Sequence, residues 1–227
     1  MKRPPLPLII VNFKAAEHAV GDAAMTLAKI CERVAVEEKA HVAVAVQATD
    51  LHAVAAAVRR IAVLSQHVDP VGYGAHTGSL PAVVVKKAGA KGTLLNHSER
   101  RLRPPMLAKC VQAAHAAGLW VCVCARDPVE ARRVAKLKPD MIAVEPPKLI
   151  GGEVSVSTAS PGVIRSSTKA IKRIPVLVGA GVQSKQDVAV ALKLGAKGVL
   201  VASHVTNADN PAKVLRELIA GLQKRRV

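Results

Sequence analysis

Several polar residues of this 227-residue chain stand where short apolar runs end, and their types suit acid–base chemistry on a small anion. Glu145 lies between Ala143-Val144 and Pro146-Pro147. A carboxylate between apolar residues and a proline pair is expected to lose part of its hydration. Desolvation raises carboxylate pKa values toward the range of a general base. His97 follows another apolar run. A neutral imidazole there can donate a hydrogen bond to a carbonyl oxygen as charge develops on it. Ser98 to Arg101 are expected to open a short helix, whose N-terminus disfavours imidazolium. Asn12 and Lys14 would set an amide beside an ammonium, with Glu99 as an acidic partner for the lysine. Taken singly, each residue has a plainer reading: Glu145 as a surface acid, His97 as a structural hydrogen-bonder, Lys14 as a loop lysine.

Two glycine-bearing segments suit an anion. Gly179-Ala180-Gly181 lets the backbone approach a phosphate closely. Gly198 to Ser203, including Ala202, supplies further N–H groups beside it. Ile150-Gly151-Gly152-Glu153 lies in the longest loop, Pro146 to about Ser160, against the ~2–6 residues usual for such connections. With a proline pair at one end and a glycine pair inside, it reads as a lid that closes over a ligand, or else as a disordered insertion.

Residues so far apart in sequence need a frame that gathers them. Short β-branched runs alternate with longer Ala-rich stretches of helical period. Strands are expected at Leu8–Asn12, His41–Val46, Ile61–His67, Gly92–Asn96, Leu119–Cys124, Met141–Glu145, Pro175–Gly179 and Gly198–Ala202. Helices are expected at Val20–Lys39, Asp50–Arg60, Ser79–Ala88, Pro105–Ala117, Pro128–Leu137, Pro161–Arg173, Ser184–Leu194 and from Pro211 onward. Gly89, Gly118 and Gly195 are stop signals, and Asp127-Pro128 and Asn210-Pro211 are start signals. The strands lack polar alternation, which suits a parallel sheet covered on both faces. Eight strand–helix units are the count of a (β/α)8 TIM barrel, here a single α/β domain over residues 1–227. A doubly wound open sheet is the alternative. On a barrel, chemistry gathers at the C-terminal ends of the strands, where all the residues above fall.

Composition narrows the function classes. Lys plus Arg number 33 against 16 Asp plus Glu, a formal charge of +17. Most of this charge is scattered; Lys224-Arg225-Arg226 is the one tight run. Single-strand nucleic-acid binders interleave aromatics for stacking, and here the aromatics are only Phe13, Tyr73 and Trp120. The charge therefore fits attraction of small phosphorylated anions, or simple solvation, and no specific nucleic-acid partner is expected. No apolar run reaches the ~18–20 residues of a membrane span, and the N-terminus lacks a secretory signal, so a soluble, cytoplasmic protein is expected. Cys31, Cys110, Cys122 and Cys124 form no Cys-x-x-Cys pair and are expected to be reduced and mostly buried.

In these segments the chain resembles the triosephosphate isomerase family, in particular its short archaeal branch. The motifs stand in family order as Asn12-Phe13-Lys14, Asn96-His97-Ser98-Glu99-Arg100-Arg101, Ala143-Val144-Glu145-Pro146-Pro147, Gly179-Ala180-Gly181-Val182 and Gly198-Val199-Leu200-Val201-Ala202-Ser203. Tyr73-Gly74-Ala75-His76-Thr77-Gly78 resembles the family's subunit-contact loop. The resemblance spans essentially the whole chain. It implies interconversion of dihydroxyacetone phosphate and D-glyceraldehyde 3-phosphate, in glycolysis and gluconeogenesis, with no metal or organic cofactor. It implies Glu145 as the base, His97 as the group that polarises the substrate oxygens, and Lys14 as stabiliser of the enediolate. Asn12 would hydrogen-bond the substrate, and backbone groups near Ile150, Gly181, Ala202 and Ser203 would hold its phosphate. The glutamate base beside a neutral histidine is the family's own pairing and comes with the resemblance. A homo-oligomer, tetramer or dimer, is also implied. One departure stands out: the archaeal lid usually continues Gly-Thr-Gly after the isoleucine, whereas this chain has Gly151-Gly152-Glu153. That removes a hydroxyl and places a carboxylate near the phosphate. The competing readings are another phosphosugar barrel, of the kind found in histidine or tryptophan biosynthesis, and a basic non-enzymatic binding protein. The first has no need of Lys14, His97 and Glu145 together.

Overall fold

The computed structural model describes residues 4–149 and 155–222. Eight parallel strands close into a barrel in sequence order. They are β1 (Leu8–Asn12), β2 (His41–Val46), β3 (Ala62–Ser65), β4 (Gly92–Leu95), β5 (Trp120–Ala125), β6 (Met141–Val144), β7 (Val176–Val178) and β8 (Gly198–Val201). The outer layer is α1 (Asp22–Glu37), α2 (Leu51–Ala57), α3 (Ala82–Lys87), α4 (Pro104–Ala116), α5 (Pro128–Ala135), α7 (Pro161–Ala170), α8 (Lys185–Lys193) and α10 (Pro211–Ala220). Two further short helices, α6 (Val156–Ala159) and α9 (Ser203–Thr206), follow β6 and β8. This is the TIM barrel that the strand–helix count predicts, and the open-sheet alternative falls with the pairing of β8 to β1.

The two faces of each strand have different jobs. Successive side chains of a strand alternate between faces. One set points into the barrel, where Ile10, Leu64, Trp120, Met141, Leu177 and Leu200 form one buried cluster. Ala43, Ala45 and Ala143 in the same cluster leave room for Trp120 and Met141. Cys122 and Cys124 share this interior face, and all four cysteines are free thiols and buried, as expected. The other set packs under the helices, where Ile9, Val11, Val44, Val123 and Val199 meet residues such as Leu27, Val111 and Leu215. Burying a side chain of this size contributes roughly 1.5–3 kcal/mol. The same alternation, carried to the end of β1 and one step past β6, β7 and β8, aims residues 12, 145, 179 and 202 toward the barrel mouth.

Local signals fix the helix starts. Asp127 accepts the Glu130 N–H at 2.7 Å to cap α5, and Asn210 accepts the Lys213 N–H at 3.0 Å to cap α10. Ser184 and Asp187 cap α8 reciprocally, at 3.2 and 3.0 Å. Such caps are each worth about 1 kcal/mol. Several ends differ from expectation. Helix α2 stops at Ala57 rather than Arg60, because Val58 is extended and Glu32 Oε1 of α1 takes the Arg59 N–H at 2.6 Å. The third strand is shorter by a residue at its start and two at its end. Among the described residues no helix is long and apolar enough to cross a membrane.

Barrel closure rests on a glycine. Gly198 pairs with Leu8 across β8 and β1 at φ 148°, and a Cβ there would lie 1.9 Å from the Leu8 carbonyl oxygen. Gly198→Ala is therefore expected to cost about 3 kcal/mol or more, read as a large fall in melting temperature. A melting temperature within a degree or two of the parent would contradict this account of closure.

Candidate active site

All the site residues that the sequence singles out, other than Ile150, meet at the C-terminal end of the barrel. One cleft takes in Asn12, Lys14, His97 and Glu145 on one side and Gly181, Ala202 and Ser203 on the other. Ile150 and the altered lid stretch Gly151-Gly152-Glu153 lie outside the described residues. On either side of that stretch the long loop contains regular structure. It holds a 3-10 turn at Pro147–Leu149 and helix α6, which Ser155 caps.

Glu145 is 7% exposed. Its place is set from below by β6 and from the side by Gly179, whose missing Cβ would otherwise sit 2.7 Å from Glu145 Cγ and Oε1. Among the described residues no donor reaches Glu145 Oε2, which is buried. Oε1 stands 3.8 Å from His97 Nε2, too far for a hydrogen bond. The two groups face each other without satisfying each other. The Cys124 thiol lies against the same carboxylate. Burial first, then the Glu145 charge, push that thiol's pKa up, so it remains an S–H beside the anion.

His97 is 7% exposed, and the Glu99 N–H points at its Nδ1 at 3.4 Å. Nε2 is the ring nitrogen nearer Glu145, and on the other side Glu99 Oε2 lies 3.6 Å from Nδ1. Here the structure corrects the sequence reading. Ser98 to Arg101 form a turn, with the Arg100 N–H on the His97 carbonyl at 2.9 Å, and no helix. The reason is Asn96, at φ 61°. Its Oδ1 takes the Leu102 N–H at 3.0 Å and its carbonyl takes Arg101 Nη1 at 3.0 Å, so the segment folds back on Asn96 instead of winding forward. The histidine is thus oriented by a turn amide rather than by a helix dipole.

Lys14 extends its ammonium to Glu99 Oε1 at 2.6 Å, the partnership expected from sequence. Asn12 is 4% exposed and its Oδ1 accepts the Lys14 N–H at 3.1 Å. Opposite them, Ala180 and Gly181 both have positive φ, 78° and 68°, and the Ala180 carbonyl takes the Val156 N–H at 3.1 Å. For alanine this conformation costs about 1–2 kcal/mol. Helix α9 begins directly after β8, with Ala202 as its N-cap. Successive backbone N–H groups at such a turn and helix start form a concavity suited to an anion. Sequence reading did not foresee α9, nor Gln183 and His204 on the cleft wall. Among the described residues no group of three or more His, Cys, Asp or Glu is placed to hold a metal ion.

Underneath the His97 turn lies an ionic anchor that sequence reading missed. Glu130 of α5 is 6% exposed and pairs with Arg101, while accepting the Arg126 N–H at 2.9 Å. Asn96 Nδ2 ties the turn to the Cys124 carbonyl at 2.9 Å. Burial pushes the Glu130 pKa up, but the Arg126 amide and the Arg101 guanidinium outweigh it and hold the carboxyl below its usual value. A depressed folded-state pKa contributes stability above the ordinary carboxylate value, and that stability is lost as pH falls through the folded value. The melting temperature should therefore drop as pH is lowered below about 4.3, and Glu130→Gln should flatten part of that drop. Equal pH slopes for parent and variant would contradict this role.

Comparison with known proteins fits this geometry. The family model described as triosephosphate isomerase matches residues 7–219. A relative from Methanoculleus marisnigri named triosephosphate isomerase is 42% identical over 218 residues, covering 94% of this chain and 98% of its own. One of the same name from Archaeoglobus fulgidus is 43% identical over 216 residues, covering 93% and 96%. The crystal structure of triosephosphate isomerase from Bartonella henselae superposes with a TM-score of 0.73 over 96% of this chain and 99% of that one, at 21% identity, a likeness of fold. With the family model matching nearly the whole barrel and relatives above 40% identity, the chain belongs to the triosephosphate isomerase family of aldose–ketose isomerases.

Proposed function

We propose that the protein interconverts dihydroxyacetone phosphate and D-glyceraldehyde 3-phosphate by proton transfer through an enediolate, as a step of glycolysis and gluconeogenesis in the cytoplasm. The observation that carries this reading is the Glu145 carboxylate, 7% exposed and 3.8 Å from His97 Nε2 in a cleft walled by Lys14 and the glycine loop. A carboxylate held at this place, facing the histidine across the cleft, is positioned to act as a general base on a bound substrate. Glu145 takes a proton from the carbon next to the substrate carbonyl and returns it to the neighbouring carbon. His97, neutral with its proton on Nε2, donates to the substrate oxygens as they gain charge. Lys14 supplies a positive charge against the enediolate and the phosphate, with Glu99 holding the ammonium in place. The Asn12 amide hydrogen-bonds the substrate. Backbone N–H groups at Gly181, Ala202 and Ser203, with Ile150 from the lid, take the phosphate. The route consists of proton transfers, so it calls on no metal or organic cofactor.

A coupled assay on glyceraldehyde 3-phosphate tests this directly. The parent should turn over, and Glu145→Gln should lose about 100-fold or more in kcat. Glu145→Asp, which draws the base back by one methylene, should fold normally and also lose turnover strongly. Parent-like activity in either variant removes Glu145 from the mechanism. A well-folded parent with no turnover favours a different phosphosugar substrate.

We further propose that the chain works as a homo-oligomer, tetramer or dimer, through the Tyr73–Gly78 loop. Tyr73 is 66% exposed on it. The loop is pinned at its base, where Asp69 and Leu80 exchange backbone and side-chain hydrogen bonds at 2.8 and 2.7 Å and His67 Nε2 lies 3.1 Å from Asp69. Light scattering at micromolar concentration should give a multiple of 23.7 kDa; a monomeric mass overturns this.

A further inference from the structure

Lys14 is gripped by its backbone as well as by its ammonium. Its φ is 52°, in the left-handed region that strains any residue with a Cβ. Such a conformation persists only where the surroundings over-determine it. Here the Lys14 carbonyl oxygen accepts two side-chain amides, Gln47 Nε2 at 3.1 Å and Gln66 Nε2 at 3.0 Å. Gln47 directly follows β2 and Gln66 directly follows β3, and both continue the inward alternation of Ala43, Ala45 and Leu64. Two neighbouring strands of the barrel rim thus send one donor each to a single carbonyl. On the other side of the residue, the Lys14 N–H is held by Asn12 Oδ1 at 3.1 Å. With both peptide planes tied, the direction in which the side chain leaves the backbone is fixed, and the ammonium arrives 2.6 Å from Glu99. Neither glutamine is among the residues that wall the cleft.

We propose that Gln47 and Gln66 are positioning residues: their paired amides hold Lys14 in the left-handed conformation that aims its ammonium into the cleft. This rests on the isomerase reading, in which that ammonium meets the enediolate and phosphate. The two glutamines are not equivalent. Gln66 also donates to the Ala45 carbonyl at 3.2 Å, a tie between β2 and β3, whereas the Gln47 bond goes to Lys14. Gln47 therefore reports on the clamp with less effect on the barrel.

Methionine matches glutamine in length but donates no hydrogen bond, so it removes the clamp with little change in volume. Gln47→Met, and the pair Gln47→Met with Gln66→Met, are to be compared with the parent for kcat/KM on glyceraldehyde 3-phosphate. The same changes are then made in a Lys14→Met background, where slow turnover is followed at high protein concentration as deuterium uptake from D2O into the substrate. With Lys14 present, the pair should lose about tenfold or more, since a misplaced charge forfeits its orientation. With Lys14 already gone, the same pair should change turnover by less than about twofold, because residues acting through one group are not additive. Equal losses in both backgrounds would mark a general structural role and overturn the proposal. So would parent-like activity of the pair with Lys14 in place. Gln47→Met alone carries the same comparison if the pair fails to fold, with an expected loss of about threefold in the Lys14 background only. A parent with no turnover of triose phosphate sinks the isomerase reading itself, a result distinct from either of these.

Discussion

The site is organised around one costly feature, a carboxylate taken almost wholly out of water, with one oxygen that no donor among the described residues reaches. Glu145 is 7% exposed, and among the described residues its buried Oε2 has no hydrogen-bond partner. An unsatisfied buried acceptor of this kind costs about 1–3 kcal/mol, and more when charged. The surrounding barrel meets that cost. Eight strands of inward and outward apolar residues fix the β6 end rigidly, and Gly179 leaves the space that the Glu145 side chain fills. A surface loop would let the same carboxylate turn to water. The closed sheet leaves it facing His97 Nε2 at 3.8 Å, a separation that leaves both groups available to a third party between them. In the proposed reaction that third party is the substrate.

Around this centre the rim spends backbone strain where chemistry needs direction. Among the described residues five non-glycine residues have positive φ. Lys39 and Lys138 follow the ends of α1 and α5, where a left-handed residue is ordinary helix termination. Lys14, Asn96 and Ala180 instead belong to the rim: Lys14 is itself a group that the proposed mechanism uses, Asn96 precedes His97, and Ala180 precedes Gly181. Each is held by several hydrogen bonds or by a neighbouring segment: Lys14 between Asn12 and two glutamines, Asn96 by Leu102, Arg101 and Cys124, Ala180 by Val156. Strain gathered at functional positions and supported from outside them is a recurrent feature of preorganised sites. The ion pairs follow the same plan. Lys14–Glu99 lies at the cleft, while Arg101–Glu130 lies beneath the His97 turn and steadies it.

Much of this was legible in the sequence, and the limits have physical causes. Uninterrupted apolar strands, Asp127, Ser184 and Asn210 at helix starts, and glycines at helix ends are local signals, and the eight units followed from them. The residues that gather in the cleft were legible because they stand at or just after strand ends in a recognisable family order. What escaped depends on distant partners. Helix α2 ends early because a glutamate on α1 competes for its backbone. The segment after His97 turns instead of winding, because Asn96 accepts the Leu102 N–H and the Arg101 guanidinium. Arg101 and Glu130 are 29 residues apart, and nothing local pairs them. The alternation of β2 and β3, carried one residue further, already places Gln47 and Gln66 on the inward side; their convergence on Lys14 needs the closed sheet.

The most direct test of the proton-transfer account is isomerisation of unlabelled dihydroxyacetone phosphate in D2O, with the product examined by NMR. If Glu145 exchanges its acquired proton with solvent before returning it, glyceraldehyde 3-phosphate should carry deuterium at C2, and Glu145→Gln should give almost no labelled product. Deuterium-labelled product formed by Glu145→Gln at the parent's rate would show that the proton moves without this carboxylate. That result would contradict the role given to the buried carboxylate.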